Sequence, residues 1–154
     1  MAMDDIKHIT QYAISMLNIP YLWGGNSPIQ GIDCSEFAIN LLTAYGYFKP
    51  WDDTTAHGLW LWAKQIDGLS REKPFEGCLI FYGKPSHITH IAYSISERLT
   101  IQASGGGSEL SIKNGREDLW RLAAIKADAR VKMLPYDYRK DIVDIRFPFI
   151  RSEV

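Results

Sequence analysis

The stretch PYLWGGNSPIQGIDCSEFAINLLTAYG, residues 20–46, joins a glycine-rich segment to a regular apolar pattern. Residues 21–33 contain three Gly and one Pro, which predicts a loop. From Cys34 onward, apolar side chains recur every three or four positions, and Gly46 fits the end of a helix. The apolar positions are Phe37, Ala38, Leu41, Leu42 and Tyr45. This pattern predicts a helix that opens at or near Cys34.

A cysteine at the amino end of a helix has the surroundings of a nucleophile. Aligned peptide dipoles place about half a positive charge there. That field favours the thiolate, so we expect a lowered pKa for Cys34. The unpaired N–H groups of the first turn can also hold an oxyanion. The alternative is an inert buried cysteine, which is the better interpretation of Cys78, since that residue begins the apolar run CLIFY.

A cysteine nucleophile needs a base, and histidine is suited to that role near neutral pH. His8 is expected on the surface of a first helix, and His57 is expected to pack within a third helix. His90 lies at the start of a predicted strand, from which its side chain can project into a cleft. Gln102 lies in the next strand of a predicted hairpin, where it can accept a hydrogen bond from the imidazole. Gln102 can equally be an ordinary polar strand residue.

The order of the predicted elements is helices first and strands second, which predicts an α+β domain with an antiparallel sheet. The predicted helices cover residues 4–18, a segment from Cys34, and residues 54–65. The predicted strands cover residues 78–82, 90–95, 99–103, 131–134 and 142–149. Residues 117–127 fit either a helix or a strand. The 154 residues are 46% hydrophobic, which predicts one globular domain over residues 1–154.

Five short motifs occur in order along residues 5–105. They are PYLWGG at 20–25, GIDCS at 31–35, GCLIFY at 77–82, HIAYSI at 90–95 and IQASG at 101–105. Together they resemble the NlpC/P60 family of papain-like cysteine peptidases. The resemblance implies a papain-like fold with N-terminal helices packed on a central antiparallel sheet. It also implies hydrolysis of a peptide bond in the stem peptides of bacterial peptidoglycan.

The resemblance assigns a role to each matching residue. Cys34 corresponds to the nucleophile, His90 to the base and later acid, and Gln102 to the third polar residue that orients the histidine. The hydroxyl of Tyr21 corresponds to the group that frames the oxyanion site beside the Cys34 N–H. The positions of Asp33 and Ser35 match those that receive the free amine of an N-terminal L-Ala in several members.

Three positions depart from the family pattern. Gln102 replaces the more usual His, and its amide oxygen can still accept a hydrogen bond. Glu36 replaces the usual Gly, and a carboxylate that faces Cys34 would raise the pKa of the thiol. Cys78 replaces an acid. These departures keep two alternatives open: a non-catalytic wall-binding or phage structural module on the same fold, and a papain-like acyltransferase or deamidase.

The expected partner is a stem peptide or muropeptide. The net charge of −1 offers no electrostatic case for nucleic acid. No apolar run approaches the roughly 18 residues of a membrane span. No cofactor is expected, and the cysteines and histidines lack the paired spacing of a metal site. The N-terminal residues lack the pattern of a signal peptide, so we expect cytoplasmic synthesis, with delivery to the cell wall by phage, lysis or dedicated secretion.

Overall fold

The computed structural model describes residues 2–27, 31–49, 54–106 and 109–151. Within these ranges the helices are α1 (Ala2–Ser15), α2 (Cys34–Thr43), α3 (Ala56–Ile66) and α4 (Glu117–Lys126). The strands are β1 (Asn26–Ser27), β2 (Gly31–Ile32), β3 (Leu79–Lys84), β4 (His87–Ser94), β5 (Leu99–Ser104), β6 (Arg130–Pro135) and β7 (Ile142–Arg146). Residues 28–30 of the predicted loop lie outside the described residues.

The central sheet has five antiparallel strands in the order β6-β5-β4-β3-β7. Each of the pairs β3–β4, β4–β5 and β5–β6 joins strands that follow each other in the chain, with α4 lying between β5 and β6. A bulge follows Tyr82, which pairs with His90, whereas the next residue, Gly83, pairs with Ile88. The strand β4 therefore lies at the centre of the sheet and carries His90 in its interior.

Each face of the sheet carries a cluster of buried side chains. Helices α1, α2 and α3 contribute to a main core with alternate strand residues such as Phe81, Ile91 and Ile101. The intervening positions form a second, smaller cluster on the opposite face, which includes Tyr82 and Ala92. Because side chains alternate along a strand, His90 and Gln102 lie on the face of this second cluster. The predicted α+β arrangement, with helices packed on an antiparallel sheet, is confirmed.

Several element bounds differ from expectation. The first helix ends at Ser15 rather than residue 18. Asn18 has a positive φ of 77°, which is incompatible with a right-handed helix. Residues 117–127, which fitted two interpretations, are mostly the helix α4. The last strand ends at Arg146, two residues before Pro148, which has no backbone N–H for a ladder bond. Within the described residues, no helix has the length and apolar character needed to cross a membrane.

Candidate active site

Asp33 fixes the position of Cys34 at the start of α2. Its backbone is extended, and its Oδ1 accepts from the Glu36 N–H at 3.0 Å and from the Ser35 hydroxyl at 3.1 Å. Its Oδ2 accepts from the N–H of Gly24 at 3.0 Å. A capping carboxylate of this kind stabilises the first turn because it satisfies an N–H group that has no partner within the helix. One side chain thus ties the glycine-rich segment to the turn that presents Cys34.

The sulfur of Cys34 lies against the backbone of β4. Its thiol donates to the carbonyl of Thr89 at 3.9 Å. The N–H of Ile91 donates to the same sulfur. Thr89 and Ile91 are the two neighbours of His90 in the chain, so the structure brings Cys34 to the strand segment that carries His90.

His90 is hydrogen bonded to Gln102 on the neighbouring strand, with 2.6 Å between Nε2 and Oε1. A carboxamide oxygen can only accept, so Nε2 of His90 carries the hydrogen in this pair. In a neutral imidazole the other nitrogen, Nδ1, then has a free lone pair. The pair therefore has the form that a base requires, with one ring nitrogen oriented and the other able to take a proton.

The Cys34 cavity has a volume of about 410 Å³, and its lining includes Tyr21, Asp33, Cys34, Ser35, Glu36 and His87. Every residue predicted from the sequence for oxyanion or substrate binding therefore meets the nucleophile candidate in one cavity. The lining combines carboxylates, hydroxyls and an imidazole, which suits a polar peptide with a cationic group.

His90 does not project into this cavity, and the expectation that it would is corrected. The described residues that line the cavity do not include His90 or Gln102, and His90 is only 7% exposed. The strand begins at His87, three residues earlier than expected, so His90 is an interior strand residue. Its ring packs beside Tyr82, with the ring centres 5.6 Å apart. The histidine that lines the cavity is His87.

The pKa of Cys34 is raised to about 12, which reverses the expected lowering. Burial of the thiol is the main cause, and the negative charge of Asp33 adds to it. Hydrogen bonds from N–H groups, including that of Ile91, act in the opposite direction without overcoming it. Desolvation exceeds the field of the helix because the thiolate is removed from water almost completely. The carboxylate that raises the pKa of Cys34 is that of Asp33, the capping residue.

The pKa of His90 is lowered to about 4, because burial disfavours the imidazolium more than the bond to Gln102 favours it. At neutral pH the free protein therefore holds a thiol and a neutral imidazole. The pKa of Tyr21 is raised by burial first and by the nearby Cys34 second, so its hydroxyl keeps its proton. Tyr21 is also held through its carbonyl, which accepts from the Trp120 indole at 2.9 Å.

The raised pKa predicts how Cys34 reacts with iodoacetamide. In a Cys78→Ala protein, which leaves one thiol, we expect the alkylation rate to rise about tenfold per pH unit from pH 6 to pH 10, because the thiolate fraction grows tenfold per unit below the pKa. N-acetylcysteine, as the control, should level off once its thiol has ionised. A Cys34 rate that is flat between pH 6 and pH 8 would show a preformed thiolate and contradict the burial argument.

Sequence patterns did not reveal two parts of this site. The hydrogen bonds that the Cys34 sulfur makes and receives involve backbone groups of β4, which any residue supplies. Tyr138 donates its hydroxyl to Oε1 of Gln102 at 2.7 Å, from 36 positions further along the chain. No local motif marks either contact.

Both cysteines are free thiols. Among the described residues, no three side chains of His, Cys, Asp or Glu are grouped as for a metal ion.

The fold and the site define a papain-like α+β domain with a cysteine at the amino end of a helix that packs on an antiparallel sheet. Residues 18–128 match the model of the NlpC/P60 family, and the chain belongs to that family. The resemblance seen in the sequence is thereby confirmed. Dipeptidyl-peptidase 6 of Lysinibacillus sphaericus is 30% identical over 108 residues, which are 70% of this chain and 36% of the relative. The chain thus spans about a third of the length of this curated relative.

Solved structures of NlpC/P60 proteins share the fold. The peptidoglycan hydrolase RipB of Mycobacterium tuberculosis is 18% identical, with a TM-score of 0.65 over 94% of this chain and 65% of that one. The NlpC/P60 domain of the peptidoglycan hydrolase SagA is 19% identical, with a TM-score of 0.58 over 90% of this chain and 94% of that one. At these identities the likeness concerns the fold.

Proposed function

We propose that this protein is a cysteine peptidase that cuts a bond in the stem peptides of bacterial peptidoglycan. The favoured bond joins γ-D-Glu to the third-position diamino acid, and the adjacent L-Ala–D-Glu bond is the second choice. The observation that carries the proposal is the position of the Cys34 sulfur against the backbone of Thr89 and Ile91, the two chain neighbours of His90, whose Nε2 is bound to Gln102. Membership of the NlpC/P60 family supports a peptidase, as does a relative named as a dipeptidyl-peptidase.

The first chemical step is attack by sulfur on the scissile carbonyl. Because the thiol and the imidazole are both neutral at rest, the proton moves from Cys34 to Nδ1 of His90 as the bond forms, rather than from a standing ion pair. The thiol hydrogen, which is directed at the Thr89 carbonyl in the free protein, must turn toward that nitrogen. The oxyanion that develops is held by the N–H of Cys34 and the hydroxyl of Tyr21.

The second half of the reaction restores the enzyme. Nδ1–H of His90 protonates the leaving amine, the carbon–nitrogen bond breaks, and the acyl group remains on Cys34 as a thioester. Water then attacks the thioester while His90 removes its proton. The carboxylic acid leaves and the thiol recovers a proton from His90. Gln102 keeps Nε2 protonated throughout, so proton exchange is confined to Nδ1.

Recognition of the stem peptide is assigned to the carboxylates of the Cys34 cavity. Oδ2 of Asp33 accepts the Gly24 N–H, and a carboxylate oxygen has capacity for a further donor. An N-terminal ammonium group is such a donor. Ser35 lies beside Asp33 in the lining of the cavity. Glu36 adds a second negative charge to the same cavity. A substrate with a free L-Ala amine therefore matches the lining in charge.

The test is digestion of synthetic L-Ala-γ-D-Glu-diamino acid peptides, with the products identified by mass spectrometry. We expect cleavage of the peptide with a free amine, and about tenfold or greater loss of kcat/KM when that amine is acetylated, since a charged hydrogen bond is lost. The product masses identify the bond. If neither stem peptides nor purified muropeptides are cleaved, the proposed peptidase activity is wrong.

A non-catalytic wall-binding module is the second candidate, and two observations favour it. The thiol pKa is raised to about 12 and His90 lies outside the described lining of the Cys34 cavity. Such a module would bind muropeptides in calorimetry and leave them intact. A papain-like acyltransferase would instead show, in the same digestion with an added amine, a product heavier than the hydrolysis product by the mass of that amine less one water.

A further inference from the structure

The side chain of Gln102 is completely buried and makes three hydrogen bonds. Its Oε1 lies 2.6 Å from Nε2 of His90 and accepts the hydroxyl of Tyr138 at 2.7 Å. Its Nε2 donates to the hydroxyl oxygen of Thr100 at 2.7 Å. That hydroxyl in turn donates to the carbonyl of Leu134 at 2.8 Å. Each polar atom of the carboxamide therefore has a defined partner.

A carboxamide differs from an imidazole in one respect that matters here. A half-turn of the Gln102 amide would exchange its oxygen and its NH₂ group, and the NH₂ group would then face His90 as a donor. Nε2 of His90 would have to become an acceptor, and the hydrogen of the neutral ring would move to Nδ1. A proton on Nδ1 blocks the nitrogen that must receive the Cys34 proton. The orientation of this amide is therefore decisive in a chain that has Gln at this position.

Two neighbouring hydroxyls contact the two ends of the amide. The Thr100 hydroxyl donates its only hydrogen to the Leu134 carbonyl, so it can only accept a hydrogen bond from the side chain of Gln102. The NH₂ group must face it. The Tyr138 hydroxyl donates to the other end, which is the oxygen. A tyrosine hydroxyl can also accept, so Thr100 selects the orientation of the amide and Tyr138 adds a donor to the oxygen in that orientation.

We propose that Thr100 and Tyr138 are positioning residues, which hold the oxygen of Gln102 against Nε2 of His90 and thereby keep Nδ1 unprotonated. The consequence for catalysis rests on the proposed function, whereas the tautomer of His90 does not. A substrate or the reacting sulfur need not touch either residue. Their effect reaches the reaction through the hydrogen-bonded chain from Thr100 and Tyr138 to Gln102 and then to His90.

Packing and a backbone hydrogen bond hold the segment around Tyr138 in place, which suits this residue to a positioning role. It lies in the connection between β6 and β7, and its ring packs edge-on against Tyr82 with the centres 5.9 Å apart. The hydroxyl of Tyr82 donates to the carbonyl of Tyr136 at 2.6 Å, which anchors the same connection. The ring of Tyr138 is partly exposed, so loss of its hydroxyl alone leaves this packing in place.

The test combines the isosteric variants Thr100→Val and Tyr138→Phe with Thr100→Ser, which restores the hydroxyl. The first readout is the ¹⁵N spectrum of the His90 ring, which reports the tautomer without any substrate. In the wild type we expect a hydrogen on Nε2. In Thr100→Val we expect a mixture of tautomers, and in Thr100→Ser a return to the wild-type spectrum. Tyr138→Phe should show a smaller shift in the same direction, because Thr100 still selects the orientation.

The second readout is cleavage of the stem peptide. We expect kcat to fall about tenfold in Thr100→Val and less in Tyr138→Phe, with KM unchanged, since the loss of one buried hydrogen-bond partner is involved. Tyr136→Phe is the matched control. It removes a tyrosine hydroxyl from the same connection, but the anchoring bond is kept because it uses the backbone carbonyl of residue 136. The control should match the wild type in both readouts.

The outcomes separate this proposal from the proposed function. If Thr100→Val and Tyr138→Phe both keep the wild-type tautomer, the positioning role is overturned, even where the wild type cleaves its substrate. If the wild type cleaves nothing, the peptidase proposal fails, and the ¹⁵N spectra still decide whether the two residues orient the amide. Tyr138→Phe provides the decision if Thr100→Val does not fold, since Tyr138 lies near the surface.

Discussion

Cys34→Ala is expected to abolish cleavage of stem peptides, with a loss of at least about 10⁴-fold in kcat. The reaction proposed here passes through a thioester on this sulfur, and alanine can form no covalent intermediate. The fold should survive, because Asp33 retains its bonds to Gly24, Ser35 and the backbone of Glu36. Rates are measured by chromatography of the peptide products at saturating substrate.

Cys78 offers a matched control for this experiment. It is the other free thiol and is completely buried, but it belongs to the small cluster on the opposite face of the sheet. Cys78→Ala should keep kcat within about threefold of the wild type, because the removed group does not touch the reacting atoms. Cleavage by folded Cys34→Ala at an undiminished rate would remove this residue from the mechanism. Equal losses in both variants would point to folding rather than to chemistry.

Asp144→Ala is expected to lower the free energy of unfolding by about 3–5 kcal/mol, because it leaves the buried Trp60 indole without an acceptor and removes the carboxylate partner of the largely buried Arg146 guanidinium. The carboxylate accepts from the Trp60 indole at 2.8 Å, the Ser70 hydroxyl at 2.7 Å and the Arg146 guanidinium at 2.7 Å. These contacts join α3 and the segment after it to β7. The Arg146 side chain is 12% exposed, so water cannot easily replace the lost partner. Urea denaturation gives the difference.

The pair of Arg139 and Asp141 is the control for Asp144→Ala. Its residues are two positions apart, as Asp144 and Arg146 are, and 2.6 Å separates the guanidinium nitrogen from the carboxylate oxygen. The side chains of Arg139 and Asp141 are, however, 33% and 39% exposed. Asp141→Ala should cost less than about 1 kcal/mol, because exposed ion pairs contribute little. Equal losses from Asp141→Ala and Asp144→Ala would show that burial of the Asp144 network does not determine its contribution. Since an intact active site needs β3 and β4 in place, activity of Asp144→Ala should follow its folded fraction.

Local sequence was sufficient for the secondary structure that presents Cys34. The glycine-rich loop before residue 34 and the apolar period after it lie within a few positions, so the start of α2 could be predicted, whereas the capping role of Asp33 emerged from the structure. The hairpin of β4 and β5 followed from two apolar segments with a short polar turn between them. That prediction also brought Gln102 near His90, and the motifs identified the family. The roles of these residues in catalysis remain predictions.

The chemistry of the site depends on packing that no local pattern reports. The sulfur of Cys34 meets the carbonyl of Thr89 across 55 positions of the chain, and the burial that results raises a pKa that the helix alone would lower. The strand start at His87 turns His90 inward, away from the cavity. Tyr138 reaches Gln102 only because the β6–β7 connection folds over that face of the sheet. Periodicity and capping are short-range properties, whereas desolvation and hydrogen-bond partners depend on every element that packs around a group, which is why the fold was predictable and the ionisation of its site was not.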